Sequence, residues 1–134
     1  MNIKYIMIHC SDTPNEREHS AADIHRWHQE KSFDGIGYHY VVNRAGQIEK
    51  GRPEYWEGAH EQTVNRHSLG ICLIGRDQFT EHQWDSLHNL LHHMKSKYPN
   101  AQIVGHYEFD SDKTCPNFDV RKWVDREMPG VKNR

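Results

Sequence analysis

The sequence has few cysteines and no long apolar run, and each shortage narrows the class of protein. Its 134 residues include only three cysteines, at Cys10, Cys72 and Cys115. An odd number of cysteines without a secretory signal argues against a disulfide framework and favours reduced thiols, one of which is a candidate metal ligand. No apolar run approaches the ~18 residues that a membrane-spanning helix needs, so membrane insertion is not expected.

The chain also has no large excess of positive or negative charge, because its 17 basic and 19 acidic residues leave a formal charge of −2. This balance gives no electrostatic footprint for nucleic acid or for an anionic membrane. The N-terminal stretch MNIKYIMIHCSD is not a secretory signal, since its apolar part is short, alternates and runs into histidine and aspartate. The sequence therefore predicts synthesis in a cytoplasm, and its length predicts a single domain over residues 1–134.

Histidine, by contrast, is abundant, with twelve copies in the chain. A solvated helix face is the better interpretation for most of them, so the excess alone does not indicate metal binding. Seven fall in or near two expected helices: His19, His25, His28, His82, His88, His92 and His93.

Strand and helix patterns alternate along the chain. Alternating or continuous apolar runs predict strands, and capped segments with apolar residues at helical spacing predict helices. The expected strands are 3–10, 69–75 and 101–106, with a hairpin at 38–52, and the expected helices begin after Ser20, run over 81–97 and run over 119–127. This order predicts an α/β fold with one mixed central sheet flanked by helices.

Two of the expected strands end in histidine, at His9 and His106, and Cys115 lies in the loop beyond His106. Functional groups gather at the carboxyl ends of strands in open α/β sheets. Two imidazoles and a thiolate are ligands that zinc favours, and three protein ligands leave a position for water, whereas a fourth side chain would close the site. Separations this large match no local zinc motif, so isolated polar loop residues are the alternative interpretation.

Several blocks of the sequence resemble the zinc-dependent N-acetylmuramoyl-L-alanine amidases of the type-2 family, especially their phage lysozyme (endolysin) branch. The resemblance covers nearly the whole chain, with its blocks in the family's order and at comparable spacing. It is carried by IMIHCSDT, by GYHY, by GAH at 58–60, by NRHSLGICLIG at 65–75 and by GHYEFDSDKTCPNFD at 105–119.

The resemblance implies a type-2 amidase fold, shared with peptidoglycan-recognition proteins, and one Zn²⁺ per chain held by His9, His106 and Cys115. It implies catalytic roles for Tyr38 and Lys113, which from the residues alone would be an ordinary packing tyrosine and a solvated loop lysine. His60 is a candidate for lining the cleft and contacting substrate.

The implied activity is hydrolysis of the amide between N-acetylmuramic acid and L-alanine in peptidoglycan, by a monomeric phage or prophage endolysin that reaches the wall through holin-made holes. A cytoplasmic muropeptide-recycling amidase and a peptidoglycan-binding protein without activity are the alternatives. Binding of RNA polymerase, which some phage lysozymes perform partly through an N-terminal extension, stays open, although only eight residues precede His9.

Overall fold

A computed structural model describes residues 2–134 and contains the expected mixed sheet, here with five strands in the order β3-β2-β4-β1-β5. Strand β1 runs parallel to both of its neighbours, β2 runs parallel to β4, and β3 closes the predicted hairpin antiparallel to β2. The strands are β1 (Tyr5–Cys10), β2 (Tyr40–Val42), β3 (Ile48–Lys50), β4 (Ser68–Leu73) and β5 (Gln102–Gly105).

Three helices flank the sheet: α1 (Ala21–Glu30), α2 (Glu81–Lys97) and α3 (Val120–Glu127). The predicted caps are present, since the side chains of Ser20 and Thr80 each accept a hydrogen bond from a backbone N–H of the first turn within a capping box. Such reciprocal hydrogen bonds satisfy N–H groups that a helix cannot pair internally, which explains where α1 and α2 begin. No helix among residues 2–134 is both long enough and apolar enough to cross a membrane.

The sheet separates two hydrophobic cores. The larger core joins α2 and α3 to one face through residues such as Leu91, Trp123 and Ile8. The smaller core joins α1 to the other face through Ile24 and Cys72. Because side chains alternate along a strand, the residue after Ile8 points to the face that α1 covers.

The carboxyl edge of the sheet brings distant parts of the chain together. Ile8 of β1 pairs with Gly105 of β5 in parallel register, so His9 and His106 occupy adjacent positions at the ends of two neighbouring strands. His106 begins a short 3₁₀ turn directly after β5. The parallel register thus sets the geometry of the candidate site described next.

Candidate functional site

A cavity of about 540 Å³ opens at the carboxyl edge of β1 and β5, beside α1. Five of the six residues singled out from the sequence line it, namely His9, Tyr38, His106, Lys113 and Cys115. Its further lining includes side chains of α1 that the sequence did not single out for a site, among them Trp27 and His28. The fold therefore brings His9 and Cys115, which lie 106 positions apart in the chain, to one cavity.

The three candidate ligands form one cluster. Ligand atoms of His9, His106 and Cys115 all lie within 4.8 Å of one another, and the two imidazole rings have centroids 4.3 Å apart. His9 is buried, with 1% of its surface exposed, whereas His106 and Cys115 are half-buried. The Cys115 thiol is held against β1, where its Sγ accepts a hydrogen bond from the backbone N–H of Cys10 at 2.9 Å.

This donor set fits zinc. Tetrahedral zinc with bonds of about 2.0–2.3 Å separates its ligand atoms by about 3.3–3.8 Å. The ligand atoms of the cluster lie within 4.8 Å of one another, which is compatible with this spacing. Burial, followed by the neighbouring rings of His60 and His106, holds the pKa of His9 well below its ordinary value, so the ring is the neutral form that a metal ligand must be. The adjacent Cys10 thiol and burial raise the pKa of Cys115, so an incoming metal ion would have to displace the thiol proton.

His60 is the one residue of the six that is not among those lining the cavity, and its contact with substrate stays a prediction. Its Nδ1 lies 2.9 Å from Nε2 of His9, and its Nε2 lies 3.0 Å from Oγ of Ser68. Burial, and then the neighbouring His39 ring, lower the pKa of His60 to about 3. Its hydrogen bond to a candidate ligand could not be inferred from a GAH motif alone.

Glu61 is a site residue that sequence reasoning missed. It is buried, and its Oε1 lies 3.1 Å from Nε2 of His106. Burial raises the pKa of Glu61, but hydrogen bonds from Thr63 and His106 outweigh it and hold this pKa below its ordinary value. A carboxylate that accepts a hydrogen bond from a ligand histidine is a recurring feature of zinc sites. The position of Glu61 directly after His60 was the one feature of the sequence that could have indicated this role.

Tyr38 is half-buried, and its ring centroid lies 5.0 Å from that of His9. Burial, followed by the nearby thiols of Cys72, Cys115 and Cys10, raises its pKa well above the ordinary value, which keeps the phenol protonated at neutral pH.

The segment before Tyr38 is anchored to α1. Nδ1 of His25 accepts a hydrogen bond from the backbone N–H of Ile36, and Nδ1 of His28 accepts one from the backbone N–H of Gly37. His25 stays exposed, as expected for a solvated helix face, whereas His28 is half-buried, and both rings also support the segment before Tyr38.

Lys113 lies exposed on the cavity wall, in the loop that follows His106. The loop folds back on itself, since the backbone N–H of Tyr107 donates to the carbonyl of Cys115 at 3.1 Å and that of Lys113 donates to the carbonyl of Asp110 at 3.0 Å. These hydrogen bonds return both Lys113 and Cys115 to the edge of the sheet, although eight residues separate Cys115 from His106.

Two imidazoles and one thiol, facing a cavity with a cation and a phenol on its wall, are the components of an open zinc hydrolase centre. A family model described as N-acetylmuramoyl-L-alanine amidase matches residues 1–118. The chain belongs to this amidase family.

Phage proteins are among its relatives. The chain is 34% identical over 125 residues to an endolysin of Enterobacteria phage K11, covering 87% of this chain and 82% of that protein. It is 34% identical over 129 residues to an endolysin of Escherichia phage T7, covering 90% and 85%.

Solved structures show the same fold. An N-acetylmuramoyl-L-alanine amidase, LysC of Clostridium intestinale, superposes with a TM-score of 0.86 at 27% identity, covering 98% of this chain and 87% of that one. The Drosophila protein PGRP-LB superposes with a TM-score of 0.81 at 26% identity, covering 98% and 84%. The predicted type-2 amidase and peptidoglycan-recognition fold is thereby confirmed.

Proposed function

We propose that this protein is a phage endolysin that hydrolyses the amide bond between N-acetylmuramic acid and L-alanine in peptidoglycan. The family and the endolysin relatives support the reaction and the substrate. The single observation that carries catalysis is the cluster of His9, His106 and Cys115 at a cavity that Tyr38 and Lys113 also line. Residues 1–134 would act as one domain and as a monomer, with release to the wall through holes made by a holin.

Each of these five residues has a role that its chemistry supports. His9, His106 and Cys115 would hold one Zn²⁺, and such an ion would supply a lowered pKa of water, about 7, and polarisation of a carbonyl. Lys113 offers a compact cation to the oxyanion that develops on the amide oxygen. Tyr38, as a protonated phenol next to His9, would orient the attacking water and pass a proton toward the leaving amine. Amide hydrolysis needs an activated water, oxyanion stabilisation and a proton donor, because the amide carbonyl is a poor electrophile and the amine is a poor leaving group.

Recognition of peptidoglycan without hydrolysis is the competing function, because solved structures of recognition proteins share the fold. A binding protein has no need of a neutral buried imidazole, a thiol and a second imidazole within ligand distance of one another beside a cavity. The complete donor set therefore favours hydrolysis over recognition alone.

The test combines metal analysis with an end-group assay. The purified protein should contain about one zinc per chain, and digestion of intact sacculi should release new N-terminal alanine at the rate at which the wall is solubilised. Intact sacculi and soluble anhydro-muropeptides would be compared at matched concentrations. Cleavage of the soluble fragments alone would make the protein a recycling amidase, and binding to sacculi without new alanine termini would make it a recognition protein.

A further inference from the structure

Two consecutive residues, His60 and Glu61, each contact a different candidate zinc histidine from behind. His60 Nδ1 lies 2.9 Å from Nε2 of His9, and Glu61 Oε1 lies 3.1 Å from Nε2 of His106. In each candidate ligand the nitrogen engaged is Nε2, which leaves Nδ1 as the only ring atom available for a metal ion. One short segment of chain therefore controls the orientation of both imidazoles.

A chain of hydrogen bonds runs from His9 through His60 and Ser68 to the carbonyl of Val64, and this carbonyl decides which atom donates at each step. The carbonyl of Val64 can only accept, so the hydroxyl of Ser68 must donate its one hydrogen there, at 2.8 Å. The oxygen of Ser68 is then left to accept from Nε2–H of His60, at 3.0 Å. A neutral His60 with its hydrogen on Nε2 presents a lone pair at Nδ1, which accepts from Nε2–H of His9. His9 is thus held in the tautomer with a free lone pair on Nδ1.

The carboxylate of Glu61 decides the direction of the hydrogen bond to His106. Ionised Glu61 can only accept, so Nε2 of His106 must carry the hydrogen that lies between them. The other carboxylate oxygen, Oε2, accepts from the hydroxyl of Thr63 at 2.7 Å and from its backbone N–H at 3.2 Å. Because both oxygens are engaged, the carboxylate cannot rotate freely and His106 is held with its lone pair on Nδ1.

The segment is itself fixed in place. Oδ1 of Asn65 accepts from the backbone N–H groups of both His60 and Glu61, at 3.0 and 2.9 Å. Gly70 of β4 leaves room for the imidazole, since a Cβ at that position would lie 2.7 Å from Cγ of His60. The backbone that carries both side chains is therefore held in place, and the Glu61 side chain is also tied to the segment through the backbone N–H of Thr63.

We propose that residues 60–68 form a tautomer clamp, in which His60 and Glu61 are positioning residues that present Nδ1 of His9 and of His106 to the metal ion. The proposal rests on the zinc site of the proposed function. The two arms of the clamp differ in chemistry: the arm behind His9 is a neutral chain that ends on a carbonyl, and the arm behind His106 ends on a negative charge. The His106 arm therefore contributes charge as well as orientation, and the two arms can be separated by mutation.

The first test reads the tautomers directly. Long-range ¹H–¹⁵N spectra of the histidine rings, recorded on the zinc-loaded and on the chelator-treated protein, should show the hydrogen on Nε2 for His9, His60 and His106. A hydrogen on Nδ1 of His9 or of His60 would overturn the proposal. If the protein bound no zinc, the proposed function would fail, yet the chelator-treated spectrum would still decide the direction of the hydrogen-bond chain.

The second test measures zinc affinity by competition with a chromophoric chelator. Ser68→Ala removes the acceptor for His60, which is itself the direct partner of His9, so zinc binding should weaken, but by less than the about 10- to 100-fold that loss of a direct partner of a ligand causes. Ser96→Ala on the exposed face of α2 is the matched control and should leave the affinity unchanged. Glu61→Gln keeps an acceptor oxygen but removes the charge, so His106 should keep its hydrogen on Nε2 while the affinity still falls.

Unchanged zinc affinity in both Ser68→Ala and Glu61→Gln would contradict the clamp. Should either variant fail to fold by circular dichroism, the ring spectra of the unmodified protein would still decide between the two tautomers.

Discussion

Replacing Lys113 with methionine should slow the reaction steeply while leaving the zinc site filled. Lys113 lines the cavity but contributes none of the three clustered ligand atoms, so its loss removes a charge without removing a metal ligand. Methionine keeps most of the length of the side chain and removes the ammonium group. The variant therefore isolates the electrostatic contribution of Lys113.

The size of the effect follows from the exposure of Lys113. An exposed cation is screened by water, for which an effective dielectric constant of ~20 is appropriate. A cation and an oxyanion ~5 Å apart then attract each other by about 3.3 kcal/mol, which corresponds to a rate effect of about 250-fold. This value lies within the roughly 100- to 1,000-fold loss that removal of one oxyanion donor causes in other enzymes.

The assay is release of N-terminal alanine from a soluble N-acetylmuramoyl-peptide, with zinc content measured on the same samples. The loss should appear in kcat with little change in KM, because the charge that Lys113 meets exists mainly in the transition state. Lys122→Met is the matched control, since it removes the same charge from an exposed position on α3. A loss of less than about tenfold, or a loss of zinc in Lys113→Met, would refute the assigned role.

Three further predictions concern the metal and the stability of the fold. Cys115→Ser replaces a thiolate with a weaker ligand and should lose both zinc and activity; full zinc content with normal hydrolysis would make Cys115 an ordinary loop cysteine. Chelation should abolish activity and added zinc should restore it, while circular dichroism stays native because the sheet has two cores of its own; global unfolding would point to a structural metal. Glu54 is buried enough to raise its pKa, but hydrogen bonds from Lys97, Tyr40 and Tyr98 lower this pKa to about 2. The ionised Glu54 carboxylate therefore stabilises the fold above pH 4.5, and this stabilisation is lost as the pH falls toward 2. Glu54→Gln should lower the free energy of unfolding in urea by about 1–3 kcal/mol at pH 7 and by much less near pH 2. An equal decrease at both pH values would contradict this linkage.

Local chemistry explains why so much of the architecture could be predicted from the sequence. Ser20 and Thr80 begin helices because each has a capping partner three residues later, and both caps are present. The apolar alternation of β1 and the continuous apolar run of β4 depend only on which faces are buried. His9 and His106 were assigned to strand ends for the same reason, and parallel strands bring such ends to one edge.

The partners behind the candidate ligands were decided by the tertiary structure. The hydrogen bond between His9 and His60 joins residues 51 positions apart, and that between His106 and Glu61 joins residues 45 apart. Neither follows from a local pattern, because both depend on β4 lying beside β1 and on the loop before β4 reaching the end of β5. Composition and spacing identify side chains capable of binding zinc, but only the packing of the chain determines which nitrogen of each imidazole is free to do so.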